Sequence, residues 1–260
     1  MRLSVYCAEN YNISRRQAKE AVKNGLISIN KSIIKKDIEI DGTENITADF
    51  TIKQLNYNLS DYLLYQDDNY VFLYKPPFLH SERLHIDDDL TISDIYKNFP
   101  DYNSLSRLDY EADGIIGMIN KNIKINNISK SYYAFVNGEF PEYIEIAKKI
   151  DAVNKKKVKV LDNNDDGFPA VMKKVKFNGK ISLIEVTLEK AARHQVRAFS
   201  DYLNHSIIGD KIYNGLQFKR LCLHCFKYTI NDKTFYCHQI PVVLNNIFYN
   251  LFFKIIYFEP

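Results

Sequence analysis

Apolar and polar positions divide the chain into a short N-terminal stretch of helices and strands and a longer, strand-rich remainder. Arg2 to Glu9 fits one short helix. Ser14 is an N-cap residue with Gln17 three positions on, a capping box in which each side chain satisfies the other residue's backbone N–H. The helix that follows, RRQAKEAVKNG, puts Ala18, Ala21 and Val22 on one face and stops at Gly25. LISIN alternates as a strand, Asn30-Lys31-Ser32 turns, and Ile33-Ile34 begins the return. Residues 51–61, TIKQLNYNLSD, are polar and read as a linker. The expected organisation is a small unit at 1–50, a linker at 51–61 and a large domain at 62–260.

In the large domain, LLYQDD and YVFLYK form paired strands around Asp68-Asn69 and end at Pro76-Pro77. Residues 91–99 suggest a short helix. GIIGMIN and KSYYAFVNG are strands, and VMKKVKF and ISLIEVTLE flank Asn178-Gly179, a hairpin turn signal. Arg193 to Leu203 fits a helix, and LCLHCFKYTI another strand. Strands outnumber helices and hairpin signals dominate, which predicts an α+β fold. Its sheet is largely antiparallel and mixed, with flanking helices, and a small N-terminal α/β domain precedes it. The runs from Lys155 to Lys157 and from Asn163 to Asp166 read as surface turns.

Composition narrows the class. Hydrophobic residues make up 46% and charged residues 26%, ordinary for a soluble globular protein. No apolar run approaches the roughly 18 residues of a bilayer span, and MRLSVYCAENYN lacks the apolar core of a signal peptide, so the expected place is the cytoplasm. A net charge of +3 permits an RNA partner. The basic excess is concentrated at the N-terminus, where Arg15, Arg16, Lys19 and Lys23 share one helix face. Such a face can simply be solvated; with Glu20 the only acid nearby, phosphate binding is favoured here. The four cysteines include Cys222 and Cys225, with Cys237-His238 further on. They read as small apolar side chains of a strand rather than zinc ligands, so no metal is expected.

Neither G-x-G-x-x-G nor G-x-x-x-x-G-K nor H-E-x-x-H occurs, which weighs against nucleotide- and metal-dependent enzymes. Three segments remain as candidate chemistry. They are LSRLDYEADGIIGMIN with Arg107 and Asp109, KSYYAFVNG with Lys130, Tyr132 and Tyr133, and the stretch from LEKAARHQVRAFSDYLNH to GDKIYNG. Taken singly, each has a plain structural explanation: a surface ion pair, half-buried strand tyrosines, the polar side of a helix.

Their order and spacing resemble the RluA-type RNA pseudouridine synthases. The matching motifs are Lys75-Pro76, Arg107-Leu108-Asp109 with Gly114, the run from Lys130 to Gly138, His194-Gln195-Val196-Arg197, Gly209-Asp210 with Tyr213, and Leu223-His224. The likeness spans residues 63–228. The N-terminal unit is similar to the small RNA-binding domain named from a ribosomal protein, the S-four domain. Arg2-Leu3, the helix start from Ser14 to Ala18, Gly25 and Ile29-Asn30-Lys31 carry that likeness. The chain departs from the family at Ser106, at Ala112-Asp113 and at Ala191-Ala192; Arg193 stands one position beyond the last pair.

The resemblance implies isomerisation of uridine to pseudouridine in RNA, with no cofactor. Ribosomal RNA is the first expectation and transfer RNA the second, and a monomer is the family-like default. It makes Asp109 the catalytic carboxylate, Arg197 the partner that keeps it ionised, and Tyr132 a ring against the uracil and a candidate base. Arg107 would fill the space of an extruded base. Lys75, Lys130 and Arg193 join Arg15, Arg16, Lys19 and Lys23 as expected RNA contacts, Lys75 being alternatively core-edge support. Two other classes compete. One is a non-catalytic RNA-binding protein with a decayed synthase domain. The other is a hydrolase using Asp109 and His194, for which no G-x-S-x-G spacing exists.

Overall fold

The computed structural model describes residues 1–11, 13–50, 56–83, 85, 88–151, 156–161 and 166–238. Parts of the expected linker and turns (51–55, Lys155 and 163–165), and the last stretch of the large domain, 239–260, lie outside the described residues.

The chain forms two compact units, Met1–Asn58 with Glu82–Asn98, and Leu59–Ser81 with Phe99–Pro260. The partition therefore differs from the 1–50, 51–61 and 62–260 division read along the chain. Residues 82–98 join the first unit, where Asn98 bonds the Tyr57 hydroxyl at 2.6 Å and His85 meets Glu20; Arg83 pairs with Asp94 at 2.8 Å within the segment.

In the first unit, helices α1 (Leu3–Asn10) and α2 (Arg15–Lys23) precede strands β1 (Ile27–Ile29), β2 (Ser32–Ile34) and β3 (Ile46–Ala48). β1 lies between β2 and β3, antiparallel to both. The capping box is formed: the Gln17 N–H donates to Ser14 Oγ at 3.2 Å, and the Ser14 N–H donates to Gln17 Oε1 at 2.8 Å. Ala18, Ala21 and Val22 of α2 pack with Leu3, Cys7, Ile27 and Ile40. That packing leaves Arg15, Arg16, Lys19 and Lys23 exposed on the opposite face. Short helix α3 (Ile92–Tyr96) begins after Thr91.

The second unit contains β4 (Leu63–Gln66), β5 (Tyr70–Lys75), β6 (Tyr102–Ser104), β7 (Asp113–Asn120), β8 (Ile128–Asn137), β9 (Tyr143–Ile146), β10 (Ile150–Asp151), β11 (Lys159–Val160), β12 (Ala170–Phe177), β13 (Ile181–Leu188), helix α4 (Gln195–Tyr202), β14 (Leu223–Ile230) and β15 (Lys233–Tyr236). Among the described residues one sheet has the order β4-β5-β7-β14-β8-β13-β12-β9, with β15 on β14 and β6 on β7. Every pairing in it is antiparallel except β7 with β14. The mixed, largely antiparallel α+β architecture is the one expected from the hairpin signals. β12 and β13 meet at the Asn178-Gly179 turn, where Asn178 Oδ1 accepts from the Ile181 N–H at 2.8 Å.

The parallel junction is tight. Cys225 lies opposite Gly114, and a Cβ on Gly114 would overlap the Cys225 backbone. With φ at +121°, that position takes glycine for both conformation and space. Helix α4 starts later than the pattern suggests, at Gln195, because His194 adopts a left-handed backbone with φ of 57°. Residues Gln195 to Ser200 are all buried, so α4 is enclosed rather than two-faced.

Candidate active site

Asp109 lies on the loop leading into β7. It is held from α4: Arg197 Nη1 donates to Asp109 Oδ2 at 3.1 Å. The same guanidinium grips Asp210 with two bonds, Nε to Oδ2 at 2.7 Å and Nη2 to Oδ1 at 2.8 Å. Asp210 Oδ1 also accepts from the N–H groups of Ile212 at 2.9 Å and Tyr213 at 3.1 Å. Asp210 is fully buried, whereas the Asp109 side chain keeps 22% of its surface open. Arg197 is thus anchored by one carboxylate and presented to the other. Burial alone would lower its pKa, but the bonds and charge of Asp210, reinforced by Asp109, raise it further above its ordinary value.

Tyr213, His194 and Gln195 surround the pair. The Tyr213 ring packs 5.4 Å from the Arg197 guanidinium carbon, and its hydroxyl lies 3.4 Å from His194 Nδ1. His194 Nε2 lies 3.8 Å from Asp109 Oδ1. Burial, joined by the charges of Arg197 and Arg193, lowers the His194 pKa against the pull of Asp109. Gln195 ties the helix start in place: Oε1 accepts from the Ala192 N–H at 2.9 Å and Nε2 donates to the Phe168 carbonyl at 2.6 Å. Tyr132, in the middle of β8 between β13 and β14, is only 5% exposed. Burial first, then Cys225, Tyr228 and the Asp109 charge, push its phenol well above the ordinary value. The phenolate that a base role requires is disfavoured, while the ring remains available as a wall.

Several expected RNA contacts stand elsewhere. Lys75 is not a phosphate contact. It has no exposed surface, and its ammonium donates to the carbonyls of Ala112 at 2.7 Å, Pro76 at 2.9 Å and Tyr110 at 3.3 Å. Its work is core-edge support of the Asp109 loop. Burial brings its pKa down to about 7, against the pull of Asp113 and Asp109. Lys130 is likewise corrected: it is 7% exposed in β8, burial lowers its pKa, and the Asp109 charge acts on it from within the protein. Arg107 and Arg193 are exposed.

A second ionic cluster was not legible in the motifs. Asp113, the first residue of β7, has no exposed surface; it receives Arg220 Nη2 on one oxygen and His224 Nδ1 at 2.8 Å on the other. One of the chain's departures from the family pattern therefore carries its own buried partners. The cysteines are all free and buried, and burial pushes the Cys222 and Cys225 thiols up to about 12. Among the described residues no group of His, Cys, Asp and Glu could hold a metal ion, and no helix is long and apolar enough to cross a membrane.

Known proteins resemble the chain along most of its length. Residues 1–42 match the S4 domain. The chain is 27% identical to an uncharacterized RNA pseudouridine synthase of Helicobacter pylori, over 83% of this chain and 88% of that one. It is 28% identical to ribosomal large subunit pseudouridine synthase D of Borreliella burgdorferi, over 89% of this chain and 82% of that one. In fold it is similar to the solved structure of human RNA pseudouridylate synthase domain containing 4. That match has a TM-score of 0.58 at 15% identity and covers 74% of this chain and 94% of that one.

Proposed function

We propose that this chain, which begins with an S4 domain and has RNA pseudouridine synthases as its relatives, isomerises uridines in RNA to pseudouridine at Asp109. The observation that carries the reading is the carboxylate of Asp109, partly open and bonded by an Arg197 that a buried Asp210 anchors. The reaction breaks the bond between uracil nitrogen 1 and ribose carbon 1′ and rejoins the sugar through uracil carbon 5. No redox change and no net hydrolysis occur, so the chain's own residues suffice.

An ionised carboxylate serves as nucleophile or charge stabiliser while the glycosidic bond breaks. Arg197 gives the Asp109 carboxylate a fixed cationic partner as the incoming base displaces water. Tyr132 provides an apolar face for the uracil ring, with its phenol neutral. The target nucleotide leaves its stack to reach Asp109, at a cost of a few kcal/mol. Arg107, two residues before Asp109 and exposed, fills the vacated space. The cations of α2 offer a separate phosphate-binding face; Lys75 and Lys130, being buried, contact no phosphate. The names of relatives such as ribosomal large subunit pseudouridine synthase D favour ribosomal RNA over transfer RNA. A cytoplasmic monomer completes the reading.

The test is tritium release from RNA labelled at uracil carbon 5, comparing the wild type with Asp109→Asn. Release by the wild type alone is expected. No release from any cellular RNA fraction would sink the isomerase reading and leave an RNA-binding protein.

A further inference from the structure

The segment from Lys75 to Ser81 holds the Asp109 loop through main-chain atoms. The Phe78 N–H donates to the Tyr110 carbonyl at 2.8 Å. Ser81 Oγ donates to the Leu108 carbonyl at 2.7 Å and accepts from the Leu108 N–H at 3.1 Å. With Lys75 on the carbonyls of Tyr110 and Ala112, these bonds fix the loop without using the side chains of Phe78, His80 or Tyr110.

Those three side chains form an aromatic cluster at the surface. His80 and Tyr110 stack with centroids 4.3 Å apart and planes 26° apart, and Phe78 meets Tyr110 edge-on at 5.8 Å. Phe78 is 47% exposed and Tyr110 44% exposed. Phe78 also has φ of +63°, a left-handed backbone that a bulky aromatic residue rarely adopts. Burial does not offset that strain, because half of the ring faces water. Strain of this kind gathers where a side chain must be presented to a ligand. Tyr110 immediately follows Asp109, and Arg107 is exposed on the same loop.

The geometry points to a stacking platform, formed by Phe78, His80 and Tyr110, for an unpaired RNA base beside the extruded uridine. This rests on the isomerase reading and adds to it a binding subsite for a flanking nucleotide. Extrusion leaves neighbouring bases with an uncovered face, and an aromatic face accepts any of the bases. Tyr110 stands next to Asp109 in the chain, so an RNA that presents a uridine to Asp109 is the occupant that fits.

The probe is a short oligouridine carrying one 2-aminopurine, titrated into the full chain while its fluorescence is followed. The wild type is expected to quench it by stacking. A Phe78→Gly, Tyr110→Ala double variant is expected to bind roughly tenfold or more weakly and to lose the quenching. Phe78→Gly relieves the left-handed backbone, so its Tm is expected to hold or rise while binding falls; misfolding would lower both. Tyr110→Phe keeps the ring and is expected to bind as the wild type does. Wild-type binding and quenching by the double variant, with tritium release by the wild type intact, would overturn the platform and leave the isomerase standing. Equal loss in Tyr110→Phe and Tyr110→Ala would also overturn it, by assigning the effect to the hydroxyl. Absence of tritium release by the wild type would remove both readings.

Discussion

The larger unit contains two ionic clusters, each an arginine paired with aspartate, that differ in access. Asp113 with Arg220 and His224 is sealed: the carboxylate has no exposed surface and the guanidinium is 4% exposed. Asp109 with Arg197 and Asp210 has an equally buried guanidinium, 3% exposed, but one of its two carboxylates is open to 22%. A buried ion pair is weak evidence for anything beyond packing, because desolvation offsets most of the attraction. The open cluster differs in that the sealed acid does the anchoring, which leaves the other free to meet a substrate. The exposure of one carboxylate, rather than charge, distinguishes the cluster proposed as chemical from the sealed one.

The comparison can be broken most sharply at Arg197. Arg197→Ala leaves Asp210 buried without its partner; stability falls by about 3–5 kcal/mol and Tm by on the order of 10 °C. Tritium release by the remaining folded protein is nearly abolished. Thermal melts and single-turnover assays check both; retained turnover would dissolve the distinction between the clusters. Asp113→Asn strips the charge from the sealed cluster, and a similar loss of about 3–5 kcal/mol is expected because Arg220 is left unpaired. Its folded fraction should lose far less turnover than Arg197→Ala does.

Lys75 supplies a pH test. Its pKa is about 7 in the folded chain against 10.5 ordinarily, so between those values the unfolded chain holds the extra proton. Stability therefore rises with pH across that window, by up to about 1.4 kcal/mol per unit. Denaturant melts of Lys75→Met between pH 7.5 and 9.5 should lack that slope, and identical slopes in the two proteins would refute the assignment. The smallest stability change is expected for Asp109→Asn, under about 1 kcal/mol for a partly open acid, together with the complete loss of product proposed above.

What was legible in the chain was local or ordered. The Ser14–Gln17 capping box and the Asn178-Gly179 turn depend on neighbours in sequence, and both form as read. The order of the R-L-D and H-Q-V-R motifs pointed to Asp109 and Arg197, which meet 88 positions apart. The Asp113 cluster was invisible because it depends on the parallel register of β7 with β14, which no local pattern encodes. Lys130 was misread as an RNA contact, and of the two readings left open for Lys75 the core-edge one holds, for a related reason. A lysine in a strand looks the same in sequence whether its amine meets water or three carbonyls. His194, left-handed, delayed α4 by two residues, a backbone choice that its side chain does not announce.

The pairing of β7 with β14 joins residues more than a hundred positions apart, and it lies in the sheet interior beside the loop that bears Asp109. Closing so long a loop delays folding, because its entropy is lost before the contacts form. During synthesis, Asp109 leaves the ribosome well before Arg197, and β14 follows later still. A chain interrupted before residue 223 would hold Asp109 without the strand that docks beside its loop, so the folded arrangement arrives in one late step rather than growing with length.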